Sequence, residues 1–212
     1  MFNSLNVCLL VALATSAFGY QRCCVSKRFY GEIHTTKGVE VAGTTRAVAS
    51  MNKMFLEFDA DMQIEFVKGD YYEDENKTTV HYETWNDFAN MRSFTINNGS
   101  NTCTMEKIEN EIEPYCVPNE LNFDGLAYFG SGNETVHIQS WSGLMPSGLY
   151  YSLQVATNDC TPVSSTTTGI DKEGNYIVEQ SHFYNWKQYD HTGPNFFNIP
   201  AQCLALVNHG KM

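Results

Sequence analysis

Seven cysteines are the residues with the most specific chemistry in this chain of 212 residues. Cys8 lies in an apolar amino-terminal run, and the six that follow it are Cys23, Cys24, Cys103, Cys116, Cys160 and Cys203. An even number of cysteines in an exported chain predicts disulfide bonds, although the sequence does not fix which cysteines pair. Zinc is the rival interpretation, but there is neither a Cys-x-x-Cys motif nor a pair of histidines at ligand spacing, so we expect disulfides.

The other reactive residue types form no recognisable catalytic arrangement. The chain has no G-x-S-x-G, no H-E-x-x-H and no glycine-rich phosphate loop, so we expect no enzyme and name no catalytic residue. One acidic run, Asp70, Glu73, Asp74 and Glu75, could bind calcium weakly, although without an EF-hand loop it is more often a solvated loop. We therefore expect no required cofactor. Calcium is the single candidate ion, and its ligands are unknown.

The charge balance argues against two classes of partner. The chain carries 24 acidic and 13 basic residues, a formal net charge of −11. Nucleic acid and anionic membrane surfaces would be repelled by such a chain, so we expect neither as a partner.

The amino terminus has the pattern of an export signal. Val7–Ala14 is apolar, and Ser16–Gly19 supplies the small residues typical of a cleavage site. The sequence therefore predicts a signal peptide at residues 1–19 and one secreted domain at residues 20–212. No apolar run is long enough to cross a bilayer, so we expect no transmembrane segment. Three N-x-S/T triplets predict glycosylation, at Asn76, Asn98 and Asn133.

Short runs of alternating apolar and polar residues indicate β-strands. The clearest pairs are Val136–Trp141 with Leu149–Val155, and Met54–Phe58 with Met62–Val67. Turn residues separate the members of each pair, and we assign the apolar residues of each pair to one face. Further strands are expected at Thr79–Trp85, Ser93–Ile96 and Ile177–Trp186. This spacing predicts an antiparallel all-β fold, either a sandwich or a curved, partly closed barrel.

Aromatic residues make up 13% of the chain, more than packing alone requires. A curved sheet this rich in large apolar groups could leave a concave pocket for a hydrophobic, lipid-like ligand. The residues that we expect to line it are Phe58, Ile64, Phe66, Trp141, Leu149, Tyr151, Leu153, Val155 and Phe183. The alternative is that the same side chains form a solid core.

Several motifs, taken in order, resemble the ependymin and ependymin-related family. The strand Val136–Trp141 is followed by the C-x-P-V element Cys160–Val163. Lys53–Asp59 is similar to the early hairpin of that family, and Asn101–Met105 is similar to its central cysteine segment. Phe183–Trp186 and Pro194–Cys203 are similar to its closing strand, turn and cysteine. The resemblance covers most of the chain after residue 20.

The resemblance implies a fold similar to bacterial lipoprotein carriers. That fold has two stacked antiparallel sheets that form a curved, partly closed barrel with a deep apolar pocket. It also implies a homodimer, calcium and lipid binding, and an extracellular matrix or lysosomal setting. The implied disulfides join Cys23 or Cys24 to Cys160 and Cys103 to Cys203, which leaves Cys116 for the remaining amino-terminal cysteine.

Two functions follow as expectations. The first is a secreted glycoprotein that binds or carries a lipid-like ligand, with behaviour that could depend on calcium. The alternative is a structural or adhesive extracellular matrix glycoprotein without a small-molecule ligand, in which the apolar face is core or dimer interface.

Overall fold

A computed structural model describes residues 20–73, 77–97, 99, 102–189 and 197–209. The described residues form eleven strands: β1 (Arg28–Glu40), β2 (Ala47–Asp59), β3 (Ile64–Glu73), β4 (Thr78–Asp87), β5 (Arg92–Asn97), β6 (Thr102–Lys107), β7 (Asn122–Ser131), β8 (Glu134–Leu144), β9 (Tyr150–Ala156), β10 (Pro162–Ile170) and β11 (Tyr176–Gln188). A short 3₁₀ helix, Phe88–Asn90, follows β4, and one α-helix, α1 (Ala201–His209), ends the described part. The expected all-β class is confirmed. The closing helix was not anticipated.

The strands make one continuous antiparallel sheet instead of two stacked sheets. Their order is β6-β5-β4-β3-β2-β1-β11-β10-β9-β8-β7. β1 joins the two parts of the sheet because it pairs with β2 on one side and with β11 on the other along nearly its whole length. Within the described residues the terminal strands β6 and β7 do not pair with each other, so the sheet is not closed into a barrel.

The sheet buries opposite faces in its two parts, which we call the amino-terminal wall (β2–β6) and the carboxy-terminal wall (β7–β11). We call the face that carries Leu153 and Val155 the inner face and the other one the outer face. In the carboxy-terminal wall the inner face is buried, with Trp141 directly opposite Leu153. In the amino-terminal wall β3–β6 bury their outer face, where Phe66, Trp85 and Phe94 pack with Cys203 of α1.

The turn between β2 and β3 causes part of this switch. Asp59 pairs with Ile64, so four residues form the turn and Phe58 lies opposite Glu65. Directly paired residues point to the same face. Ile64 and Phe66 therefore lie on the outer face and Phe58 on the inner face. The Asp59 carboxylate fixes the turn by accepting hydrogen bonds from the amides of Asp61 and Met62, each at 2.9 Å.

Three disulfides tie distant parts of the chain together. Cys23 bonds Cys160, Cys24 bonds Cys116 and Cys103 bonds Cys203, with sequence separations of 137, 92 and 100 residues. These are the pairs that the family resemblance implies, and Cys23 is the partner of Cys160. Loops of this length give a disulfide up to about 4 to 5 kcal/mol of stabilisation in the chain-entropy model.

Candidate ligand-binding site

An apolar cavity of about 270 Å³ lies against the inner face near β9, β10 and β11. The sheet supplies its floor with Ile33, Tyr151, Leu153, Val155, Pro162, Phe183 and Trp186. Two chain segments supply its cover, with Val25, Tyr115, Cys116, Val117 and Pro118 at the surface of the cavity next to Cys160. None of these side chains is an acid, a lysine, an arginine or a histidine. The cavity therefore suits an uncharged, apolar group.

The cover consists of the amino-terminal segment 23–25 and the connection between β6 and β7. The two segments run side by side, because the Val25 amide donates to the Tyr115 carbonyl at 2.8 Å and the Val117 amide donates to the Cys23 carbonyl at 3.0 Å. The Cys24 and Cys116 disulfide joins them covalently. The second amino-terminal disulfide then fixes the pair to the connection between β9 and β10, through Cys160.

Arg22 fastens the far end of the connection. Its guanidinium donates hydrogen bonds to the carbonyls of Pro118 at 3.2 Å, Asn119 at 2.9 Å and Leu121 at 2.6 Å. The same group lies over the Trp141 ring, 5.6 Å from its centroid. The cover is thus held by both covalent and polar contacts, so the cavity is built before any ligand arrives.

Trp186 forms the side of the cavity nearest β1. Its ring stacks on Phe29 at a centroid distance of 4.5 Å and contacts Phe183 edge to face at 5.8 Å. The ring lies directly on the backbone of Gly31, where an added Cβ would stand 2.3 Å from Cε3 of Trp186. A bulge at Asn185, with φ of 52°, brings the ring into this position. Glycine is therefore required opposite the tryptophan.

Two tyrosines, Tyr115 and Tyr151, are among the residues that line the cavity. The Tyr115 hydroxyl donates to Oε2 of Glu65 at 2.7 Å. Burial raises the pKa of Tyr115, and the charge of Glu65 and this hydrogen bond raise it further. Burial also raises the pKa of Tyr151, against the opposing effect of its hydrogen bond with Ser165. Both phenols stay neutral at physiological pH, which keeps the cavity uncharged.

Four of the nine residues expected to line a pocket do line this cavity: Tyr151, Leu153, Val155 and Phe183. They belong to β9 and β11, where the alternation of apolar residues was read with the correct phase. Trp141 packs behind Leu153 and Val155 in the same core without reaching the cavity. Leu149 is half-buried in the turn before β9 and contributes to neither.

The remaining three expected residues belong elsewhere. Phe58 is on the inner face but packs in the core with Phe29 and Leu56. Phe66 lies on the opposite face, in the core under α1, and Ile64 shares that face. The prediction that these side chains meet Phe183 in one cavity is therefore corrected, because the turn of four residues reverses the facing of β3 relative to β2.

The cover was not predicted from the sequence. Its signal was available: Tyr115, Cys116 and Val117 interrupt a run that is otherwise acidic and polar. An apolar group around a cysteine in a polar loop indicates a segment that is fixed against a core.

The other expected sites are only partly within the described residues. Asp70 and His81 are in contact on the outer face, Glu73 ends β3, and Asp74 and Glu75 lie outside the described residues. Within the described part of the chain, no group of three or more histidine, cysteine or acidic residues is placed to hold a metal ion.

The glycosylation triplets are also only partly within the described residues, and the signal peptide lies outside them. Asn133 is exposed in the turn between β7 and β8, where a glycan has room. Asn76, Asn98 and the predicted signal peptide at residues 1–19 lie outside the described residues. No described helix has the length and apolar character that crossing a membrane requires.

Comparisons with known proteins match one family and several solved structures, of which two distant ones are described first. A DUF1329 family protein from Desulfovibrio piger is 9% identical with a TM-score of 0.35, over 90% of this chain and 94% of that one. A LolA superfamily protein from Nitrosomonas europaea is 7% identical with a TM-score of 0.27, over 77% and 87%. Such scores carry no information about function, and no curated protein sequence matches the chain. The Ependymin family model, in contrast, matches residues 76–203, which is more than half of the chain. The chain therefore belongs to the ependymin family, as its cysteine and strand motifs indicate.

Proposed function

We propose that the protein is a secreted, non-catalytic glycoprotein that binds a lipid-like apolar ligand in the cavity and carries it. The observation that supports this most is the construction of the cavity: uncharged side chains line it, and two disulfides hold its cover in place. Pockets for small molecules are typically concave, mostly apolar and largely formed in advance. Three disulfides also fit a secreted protein, because such bonds persist in oxidising compartments.

The first experiment asks whether the purified protein holds and exchanges an apolar ligand. Protein collected from culture medium is extracted with organic solvent for mass spectrometry, and a fluorescent fatty acid is then bound and displaced. We expect a lipid in the extract and saturable displacement.

A pair of matched variants assigns the binding to the cavity. Val25→Trp fills the cavity from its cover, whereas Val178→Trp makes the same change on the outer face of β11, where Val178 is 43% exposed. We expect Val25→Trp to abolish probe binding while both variants are secreted with similar thermal midpoints. Equal probe binding in the two variants, or no binding by the wild type, would overturn the proposal.

We also propose that two copies associate through β7. This edge strand exposes large apolar side chains on its inner face, Leu126 at 54% and Tyr128 at 68%. An edge strand of this kind is a ready template for pairing with another chain. Sedimentation velocity should show that the wild type is a dimer and that the Tyr128→Lys variant is a monomer. The matrix or adhesive function is favoured instead if larger assemblies form and no ligand is found.

A further inference from the structure

A second apolar groove lies on the outer face at the same end of β10 and β11. It measures about 570 Å³. Its lining comprises Phe129, Val136, Ala156, Thr161, Pro162, Val163, Ser164, His182, Phe183, Tyr184 and Trp186. Three of these residues, Pro162, Phe183 and Trp186, also line the inner cavity. The two compartments are therefore neighbours across the thickness of the sheet.

The sheet lacks backbone pairing at this place. The ladder between β10 and β11 ends at Ser164 and His182, whereas β11 continues to Gln188 as the partner of β1. Pro162 has no amide proton to extend the ladder, and the register of β10 on β9 shifts next to it. No ladder pairing joins residues 162–163 to residues 183–186. The cavity and the groove are therefore separated by side chains at this place.

Trp186 is the main side chain in this division, and it is held by packing. It stacks on Phe29, but its buried indole N–H has no hydrogen-bond acceptor among the described residues. Turning the ring would break no hydrogen bond. The bulge at Asn185 places it opposite Gly31, where no Cβ obstructs it.

The outer groove is open and apolar. Phe129, Val136 and Tyr184 are 52%, 48% and 46% exposed, and they come from three different strands. On the inner side, by contrast, the cover is fixed by two disulfides. A ligand therefore meets fewer obstacles from the groove than from the covered side.

Resting on the proposed function, we infer that the cavity and the groove form one binding site for a single unbranched acyl chain. The chain passes through the sheet between Pro162 and the pair Phe183 and Trp186. Its end occupies the cavity, and its polar head stays at the outer mouth near Ser164 and His182. The volumes fit this arrangement, because the cavity alone, about 270 Å³, is smaller than the roughly 300–1,000 Å³ of usual ligand pockets.

The test is the dependence of affinity on chain length. Octanoate and hexadecanoate are used to displace a fluorescent fatty acid from the wild type, from Val136→Glu and from Leu144→Glu. Val136 and Leu144 lie near opposite ends of β8 and are both exposed, so the second variant is a matched control. Each buried methylene raises affinity about fourfold. We expect Val136→Glu to weaken hexadecanoate at least about tenfold and to leave octanoate unchanged, while Leu144→Glu changes neither.

The outcomes separate this inference from the proposed function. If the wild type binds neither acid, both fail. If it binds them but Val136→Glu weakens neither, the cavity alone is the site and the inference is overturned. If Val136→Glu weakens the two equally, the long chain does not extend further along the groove than the short one, and the inference is overturned as well. Tyr184→Glu, on β11 across the groove, repeats the test from a different strand and should reproduce the loss for the long chain only.

Discussion

The two walls of the sheet are built from similar strands but enclose different interiors. In the amino-terminal wall, α1 lies directly on the outer face, and Phe94 and Cys203 are completely buried there. In the carboxy-terminal wall, irregular segments cover the inner face and leave a cavity beneath them. A helix packs closely against a sheet along its length, whereas a loop fixed at a few points cannot follow every contour. The first wall is thus suited to stability and the second to binding.

Removing one disulfide from each wall should show the difference between the walls most strongly. Replacing Cys103 and Cys203 by serine should lower the free energy of unfolding by up to about 4 to 5 kcal/mol, because the bond closes a loop of about 100 residues between β6 and α1. Replacing Cys24 and Cys116 should have a similar effect on stability and should also weaken binding of a fluorescent fatty acid, since it loosens the cover. Denaturant unfolding and probe titration give the two quantities. A larger loss of binding in the first variant would reverse the roles of the walls.

Truncation of one aliphatic side chain in each wall should produce a smaller difference. Ile96→Ala removes packing from the core under α1 and should cost about 4 kcal/mol. Leu153 borders the cavity, so its truncation enlarges a space that already exists. Leu153→Ala should therefore lower the free energy of unfolding by about 2 kcal/mol, near the lower end for such changes. Urea unfolding measures both, with Val178→Ala as an exposed control. Equal costs would indicate that Leu153 belongs to a solid core.

A buried carboxyl group on the outer face of β2 makes stability depend on pH. Burial raises the pKa of Glu57, the hydrogen bond from Tyr189 lowers it, and the charge of Asp59 raises it, with a net increase. Because folding raises this pKa, the group stabilises the fold when protonated, and that contribution is lost as the pH rises through the folded pKa. Glu57→Gln stays neutral, so it should raise the thermal midpoint near pH 8 and change it little near pH 4, values that lie roughly on either side of carboxyl titration.

Thermal unfolding across this pH range checks the expectation, with Glu40→Gln at the exposed end of β1 as the control. A midpoint that falls at high pH in Glu57→Gln would mean that the ionised carboxylate is stabilised by the fold. The hydrogen bond from the Tyr189 hydroxyl, 3.1 Å from Oε1 of Glu57, can be retained by the amide oxygen of glutamine.

Calcium should have the smallest effect, and it should be confined to one wall. We propose that the acidic run from Asp70 to Glu75 binds calcium with a dissociation constant above about 10⁻⁵ M, since its sequence does not have the D-x-[DN]-x-[DN]-G pattern of a calcium-sensor loop. Titration calorimetry at physiological salt measures it, and Asp70→Asn should reduce the heat. Fatty-acid binding should be unchanged by calcium, because no acidic side chain lines the cavity. Tight binding would reveal an ordered site.

The sequence was sufficient for the parts of the fold that depend on local alternation. The strands β8, β9 and β11 and the inward facing of Leu153 and Val155 followed directly from period-2 patterns. The assignment of the apolar residues of β8 and β9 to one face is wrong for Val136 and Ile138, which lie on the outer face because Trp141 pairs with Leu153 and Ile138 pairs with Ala156. The all-β fold class could be predicted from such patterns and from turn residues alone.

Three features could not be obtained in that way. Whether Phe66 shares a face with Phe58 depends on the number of residues in one turn, and a change of one residue exchanges every side chain between faces. The site itself depends on contacts over long sequence distances: Tyr115 and Val117 are held at the cavity by hydrogen bonds to the segment 23–25 and by the disulfide of Cys116 with a cysteine 92 residues away. Helix α1 was missed because its apolar face consists of few residues, chiefly Cys203 and Val207.

The central position of β1 has a consequence for how the chain matures. β1 pairs with β2, which follows at once, and with β11, which is synthesised last of all the strands. Cys23 and Cys24 leave the ribosome early, but their partners lie 137 and 92 residues later. The strands β2–β6 can therefore pair while the chain is still growing, whereas β11 and the helix α1 that covers the amino-terminal wall are added only at the end. For a time the two neighbouring thiols have no native partner, and a thiol–disulfide isomerase that protects them should raise the yield of correctly bonded protein.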